Sequence, residues 1–431
     1  MNREIFLDCV TKAIREKDTK ESVAKELNHH IEEVMKGYVE QGFTVEDAEQ
    51  KAIEQMGSAE KLSKKFNKLY KRKIEWSVLT LFICTIGIGI IPMLLFKNFE
   101  FPFSWPSKIL GIVIGIGLVI CLFIPNYRKW ERYSLLFFGL GTFILMFATL
   151  NDPLVVTVNG QPRLHFGPFM TDTSIVLILY LIPWASFLLD KKIKGWMLSI
   201  FIIFTSVLIF YIGLSYSNLA MYVFMLVIMY GVSRKDNLMK VSLVIVSWIV
   251  VGGSLFVMNV PSYQINRLLL FLDPQANPNG MGYVSSLAKK MIDKTTWFPQ
   301  PITKKDFPIQ EFQTDMVFTT ITYSLGWGIS LLLLAILAFF LIRLILLTKR
   351  IIDPFGKMLI VGAISLFLFQ ILYNIGMSFG LLPFAGVSLP FISYGSTPLI
   401  FNSILIGIIL SVYSRKDSAI LPQMNSNEKR A

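Results

Sequence analysis

The chain has 431 residues, 54% of them apolar and only 16% charged, with a mean hydropathy of +0.58; this excludes a soluble enzyme of ordinary composition and indicates a membrane protein. The net charge of +12 is not a nucleic-acid footprint, because residues 1–75 hold 15 of the 29 acidic and 15 of the 41 basic residues, and the excess is dispersed between apolar runs further along. Three widely spaced cysteines (Cys9, Cys84, Cys121) and three histidines argue against a disulfide framework, a thiolate metal site or a histidine metal cluster.

Residues 1–73 predict a small cytosolic helical domain of three or four helices. Asp18 with Glu21, and Thr44 with Asp47, have capping-box spacing, and Gly57 followed by Ser58 reads as one helix's end and the next one's cap. The stripe Val34, Tyr38, Val45, Ala48, Ile53, Met56, Leu62 and Phe66 needs something to bury it, which favours a folded module over a solvated tether. The charged start of the chain has no apolar h-region, so no cleavable signal peptide is expected. The stretch "EDAEQKAIEQMGSAEKLSKKF" resembles the small cytosolic domains preceding some bacterial permeases; that resemblance implies an interaction role, with a cytosolic regulator as partner of residues 1–73.

From Trp76 onward, ten apolar runs reach or approach the roughly 20 residues a membrane helix needs: 76–96, 109–125, 134–150, 174–189, 197–214, 217–233, 241–259, 315–342, 357–379 and 396–414. The expected architecture is all-α, a polytopic domain over 76–415 with a short tail at 416–431. With the N-terminus inside, the cytosolic loops and tail collect 17 of the 26 basic residues that follow residue 75, so the positive-inside rule places both termini in the cytosol. The other nine bases lie on the outer side.

Residues 260–314 form one long external loop with Trp297, Phe298, Phe307 and Phe312, read as ordered and functional. The bilayer interior has few ionisable groups, so the chemistry is expected at the outer surface. Thr314 and Asp315 stand at the start of the eighth helix. Their spacing alone allows two readings: a helix cap, or a carboxylate at the membrane boundary acting as general base. Arg267, Lys289 and Lys290 are either ordinary headgroup contacts or an anion clamp for a pyrophosphate.

Four segments carry a family resemblance. "NIGMSFGLLPFAGVSLPFISYGSTPLIFNS" (Asn374 to Ser403) is similar to the signature region of the SEDS proteins of shape, elongation, division and sporulation. "RLLLFLDPQANPNGMGY" (Arg267 to Tyr283) and "EFQTDMVF" (Glu311 to Phe318) resemble the two ends of that family's large external loop, and "NGQPRLHFGPF" (Asn159 to Phe169) resembles a further external segment. The resemblance covers residues 76–415. It implies a peptidoglycan glycosyltransferase that polymerises lipid II at the outer face of the bacterial cytoplasmic membrane, paired with a class B penicillin-binding protein. It further implies that Asp315 is the catalytic base and that Arg267, Arg163, Glu311, Lys289, Lys290, Ser393 and Tyr394 bind substrate. No metal site and no certain cofactor is implied, a divalent cation being left open.

The chain departs from the family pattern at several positions: Gln313 replaces a histidine, Tyr323 and Ser324 replace a glutamate pair, and Asn218 replaces an aspartate. Ala385 leans toward the elongation type. Two rival readings remain at this point, a lipid-linked precursor flippase and a noncatalytic scaffold or sensor of cell-wall synthesis.

Overall fold

The computed structural model describes residues 2–12, 14, 17–70, 72–95, 105–148, 155–158, 161–166, 169–190, 205, 216–233, 283–307 and 312–416. It divides into two compact units, residues 1–74 with 413–431, and residues 75–412.

The first unit contains α1 (Arg3–Thr11), α2 (Lys17–Glu40), α3 (Val45–Met56) and α4 (Ala59–Tyr70). Their apolar stripes close on Phe6, Val10, Val23, Leu27, Ile31, Ala52 and Ile53, with Val34, Met56, Leu62 and Phe66 packed around them. Thr44 caps α3 by accepting from the Asp47 N–H at 3.2 Å, and Gly57 ends it at φ 82°. Asp18 does not open a helix: α2 already begins at Lys17, so the Asp18–Glu21 pair falls within its first turns. Helix starts shift by a residue or two when the preceding residue can adopt helical dihedrals.

The second unit opens with α5 (Trp76–Ile88) and α6 (Ile91–Leu95), which together make one span, and continues through α7 (Trp105–Phe123), α8 (Arg128–Arg132) and α9 (Ser134–Phe147). After α10 (Ile175–Phe187) and α11 (Tyr216–Ser233) come α12 (Tyr283–Asp293), α13 (Val317–Thr348), α14 (Pro354–Ser378) and α15 (Ser396–Ser414). Among the described residues, five helices are long and apolar enough to cross a membrane, and three shorter apolar ones match other expected runs. The expected runs 197–214 and 241–259 lie outside the described residues except Thr205, as does the tail beyond residue 416. The eighth expected run extends past its predicted end at 342 to Thr348.

α14 is apolar on all sides and packs against α10, α11, α12 and α13. Asp353 caps it, accepting from the Gly356 N–H at 2.8 Å, with Pro354 at the first helical position where a missing N–H costs nothing.

α13 breaks at Gly326, where φ is 82° and ψ 171°. A broken helix at membrane depth must have its freed backbone groups satisfied by other protein. The stretch 296–300 does this: Trp327 N–H donates to Thr296 O at 3.0 Å and Gly328 N–H to Trp297 O at 3.3 Å. Gln300 donates its N–H to Ser324 O at 3.2 Å and its Nε2 to Tyr323 O at 2.8 Å. Only glycine fits at 326, since a Cβ there would lie 2.6 Å from Trp297 O.

One departure from the all-helical expectation lies between α9 and α10. Val155–Val158, Gln161–Phe166 and Phe169–Asp172 form an antiparallel meander, β1 to β3, with Arg163 opposite both Val156 and Asp172. The cause is local: a β-branched "VVTV" run followed by Asn-Gly is a strong hairpin signal.

Candidate functional site

Asp315 lies in the turn Phe312–Met316, just before α13. Neither Thr314 nor Asp315 occupies the cap position. The N-cap residue of α13 is Met316, with no side-chain cap hydrogen bond and no acidic residue in the first helical turn. The Asp315 carboxylate faces the signature loop instead, and Oδ1 accepts from the Ser388 hydroxyl at 3.3 Å.

The backbone of this turn is held at several points. Asn374, on α14 and fully buried, donates from Nδ2 to Asp315 O at 2.6 Å and to Val387 O at 2.7 Å. One amide thus ties the acid-bearing turn to the loop that carries Ser388. Ser393 donates from Oγ to Thr314 O at 2.6 Å while accepting from the Leu389 N–H at 2.8 Å. Tyr394 N–H donates to Gln313 O at 3.1 Å. A carbonyl buried without a donor costs about 1–3 kcal/mol, so these bonds fix where the carboxylate stands.

The loop itself is strained and over-determined. Phe391 has φ 64°, uncommon for a non-glycine residue and costing about 1–3 kcal/mol. Its ring is 1% exposed and packs on Phe82 (5.1 Å between centroids), Phe367 (5.8 Å) and Phe340 (6.2 Å). Its carbonyl sits in the break between α5 and α6, where a Cβ on Gly89 would come within 2.4 Å of it. Aromatic packing from three helices therefore supports the conformation that presents Ser388 to Asp315.

The structure brings Ser393 and Tyr394 to the Asp315 turn. Lys289 and Lys290 stand exposed on α12, whose other face buries Ala288, Met291 and Ile292. That apolar face joins Phe307, Phe312, Met316, Met377 and Val387, so the described part of the external segment packs onto the site's own wall. Arg163 is on β2. Arg267 and Glu311 lie outside the described residues. No group of three His, Cys, Asp or Glu side chains with metal-binding geometry occurs among the described residues.

Three residues that hold the Asp315 turn or the loop facing it have no signal of that role in sequence spacing. Asn374 and Ser388 lie within the quoted signature run, but nothing in their spacing singles them out. Lys108 carried a visible signal: it is the sole charged residue from Trp105 to Phe123, and it is 3% exposed, with Nζ donating to Ser393 O at 3.2 Å.

Residues 72–418 match the family model described as cell cycle protein, FtsW/RodA/SpoVE. Stage V sporulation protein E of Bacillus subtilis is 26% identical over 357 residues, covering 78% of this chain and 96% of the relative. A probable peptidoglycan glycosyltransferase FtsW of Coxiella burnetii is 28% identical, covering 79% and 98%. Among solved structures, a chain from a peptidoglycan synthase complex coordinating polymerization and crosslinking superposes with a TM-score of 0.66 at 19% identity, over 79% of this chain and 97% of its own. The rod shape determining protein RodA of Thermus thermophilus gives 0.57 at 15%, over 80% and 97%.

Proposed function

Because the chain belongs to the FtsW/RodA/SpoVE family of cell cycle proteins, we propose that it is a peptidoglycan glycosyltransferase that polymerises lipid II at the outer face of the cytoplasmic membrane. Two things support this reading. Relatives matched over nearly their whole length are named probable peptidoglycan glycosyltransferases. The observation that carries it is Asp315, a carboxylate outside the cap position of α13 that is held by Ser388 on its side chain and by Asn374 on its carbonyl.

In the reaction, the Asp315 carboxylate takes the proton of the acceptor's GlcNAc 4-hydroxyl as that oxygen attacks C1 of the donor MurNAc. The C1–O bond to the diphosphate breaks and undecaprenyl diphosphate leaves with the bonding pair. Arg267, Arg163 and Glu311 are assigned to substrate binding, as are Ser393 and Tyr394, which frame the acid. Lys289 and Lys290, exposed on α12, serve phosphate or headgroup at the rim of the site.

A class B penicillin-binding protein is the proposed partner. The basic residues of the connecting loops support a cytosolic location for both termini, and residues 1–73 are assigned as a docking module for a cytosolic regulator. Truncating them should change activity or abundance in cells; no change in either would remove that assignment.

The test is made in vesicles loaded with labelled lipid II. Formation of glycan strands by the purified protein with its transpeptidase supports the polymerase. Passage of lipid II across the membrane without strand formation would contradict it and favour a flippase.

A further inference from the structure

We infer that Lys108, together with the Gln313 amide and the start of α15, forms a binding site for the diphosphate of a lipid-linked substrate. Lys108 is buried near the beginning of α7, with 3% of its surface exposed. Its ammonium donates one proton to Ser393 O at 3.2 Å. Among the described residues it has no other acceptor and no carboxylate partner. An ammonium withdrawn from water without an anion beside it carries an uncompensated desolvation cost.

The surroundings are also electropositive. Gly111, one turn further along the same face of α7, packs against Ser396, whose Cβ would lie 3.4 Å from a Cβ built on the glycine. Lys108 therefore stands beside the segment that leads into α15, a 19-residue helix whose first turn is the positive pole of its dipole. A positive pole and a buried lysine repel one another unless an anion lies between them.

A second donor flanks the same dipeptide. Gln313 is 4% exposed, its backbone carbonyl accepts from Tyr394 N–H at 3.1 Å, and among the described residues its Nε2 has no acceptor. Ser393 and Tyr394 thus lie between Lys108, which donates to the carbonyl of the first, and Gln313, whose backbone carbonyl accepts from the N–H of the second and whose side chain carries the unpaired donor. The Ser393 hydroxyl bonds Thr314 O, the carbonyl next to Asp315. An anion held here is adjacent to the carboxylate turn, where a leaving diphosphate gains negative charge as its bond to sugar carbon breaks. The choice of diphosphate rests on the glycosyltransferase reading above; the anion site itself rests on Lys108 and Gln313.

The test uses the full chain in nanodiscs of zwitterionic lipid, with geranylgeranyl diphosphate and inorganic diphosphate as probes and geranylgeraniol as the uncharged control. Lys108→Met removes the charge with little change of length, and Lys108→Arg keeps it. Lys108→Met should weaken diphosphate binding by about tenfold or more, with Lys108→Arg close to wild type and geranylgeraniol unaffected. Weakening for the prenyl probe alone assigns the site to a lipid-linked diphosphate, and weakening for both assigns it to the diphosphate group whatever its source. Equal affinity of wild type and Lys108→Met for both probes overturns the site. If the methionine variant does not fold, Lys108→Gln, which keeps a donor for Ser393 O, is read in the same way. Asp315→Asn, which removes a negative charge beside the anion, should bind both probes at least as tightly as wild type. Were it also to polymerise lipid II normally, the base assignment would fall while the Lys108 result stood.

Discussion

Ser388 and Asp315 meet side chain to side chain across 73 positions of sequence, the serine hydroxyl donating to Oδ1 at 3.3 Å. A hydrogen bond to an ionised acceptor contributes about 1.5–3 kcal/mol, and here it acts on orientation, since it holds one carboxylate oxygen toward the signature loop. Ser388→Ala should lower the polymerisation rate by about tenfold, and Ser388→Thr should recover most of it. Initial rates on labelled lipid II, with thermal unfolding as the control for folding, measure both.

Asn374 serves two carbonyls with one amide. Asn374→Ala leaves Asp315 O and Val387 O without that donor, at a cost of about 1–3 kcal/mol for each carbonyl left unpaired. Asn374→Asp should be worse, because a carboxylate oxygen then faces two carbonyl oxygens. The unfolding midpoint of the purified variants should fall in the order wild type, alanine, aspartate; an unchanged midpoint in both would remove the clamp from the account.

At the break in α13, Gly326→Ala combines a positive φ with a Cβ placed 2.6 Å from Trp297 O. The expected loss is about 1–3 kcal/mol from the backbone conformation, with displacement of the 296–300 segment in addition. Trp297 and Phe298 are 65% and 78% exposed, so altered protease sensitivity of that segment should accompany the lowered midpoint. Gly87→Ala, where a Cβ has open space, is the matched control and should be close to neutral.

The N-terminal unit should weaken in acid. The Arg3 guanidinium, hydrogen-bonded to Glu32, holds that carboxyl below its ordinary value of 4.5, with Asn28 adding to the effect. A carboxyl lowered on folding contributes stability that is present above 4.5 and is lost as pH falls through the folded value. Arg3→Ala should flatten this dependence, and helix content followed by circular dichroism from pH 7 downward would show it.

Much of the membrane unit was legible because a span announces itself by length and composition alone, as Trp105–Phe123 and Pro354–Ser378 do. The Thr44 cap and the Gly57 stop were legible for a different reason: each is a local contact whose partners lie within three residues. Asp315 could be named from its sequence context, but not separated from a helix cap. That distinction depends on Ser388 and Asn374, which are remote in sequence and approach only through folding. The pairing of Lys108 with Ser393 spans 285 positions, and no period or spacing rule reaches so far. The β1–β3 meander carries a local Asn-Gly signal, but it is a short insertion between long apolar runs, whose composition speaks only for helices.

Asp315 is assigned the removal of the acceptor's proton. The most direct test of this role is single-turnover polymerisation of labelled lipid II by wild type and by Asp315→Asn, the purified protein being paired with its transpeptidase and its fold checked by thermal unfolding. The rate should fall by about a hundredfold or more in the asparagine variant, which keeps the shape and loses the basic oxygen, with binding of the substrate retained. Polymerisation at the wild-type rate by a folded Asp315→Asn protein would contradict this role.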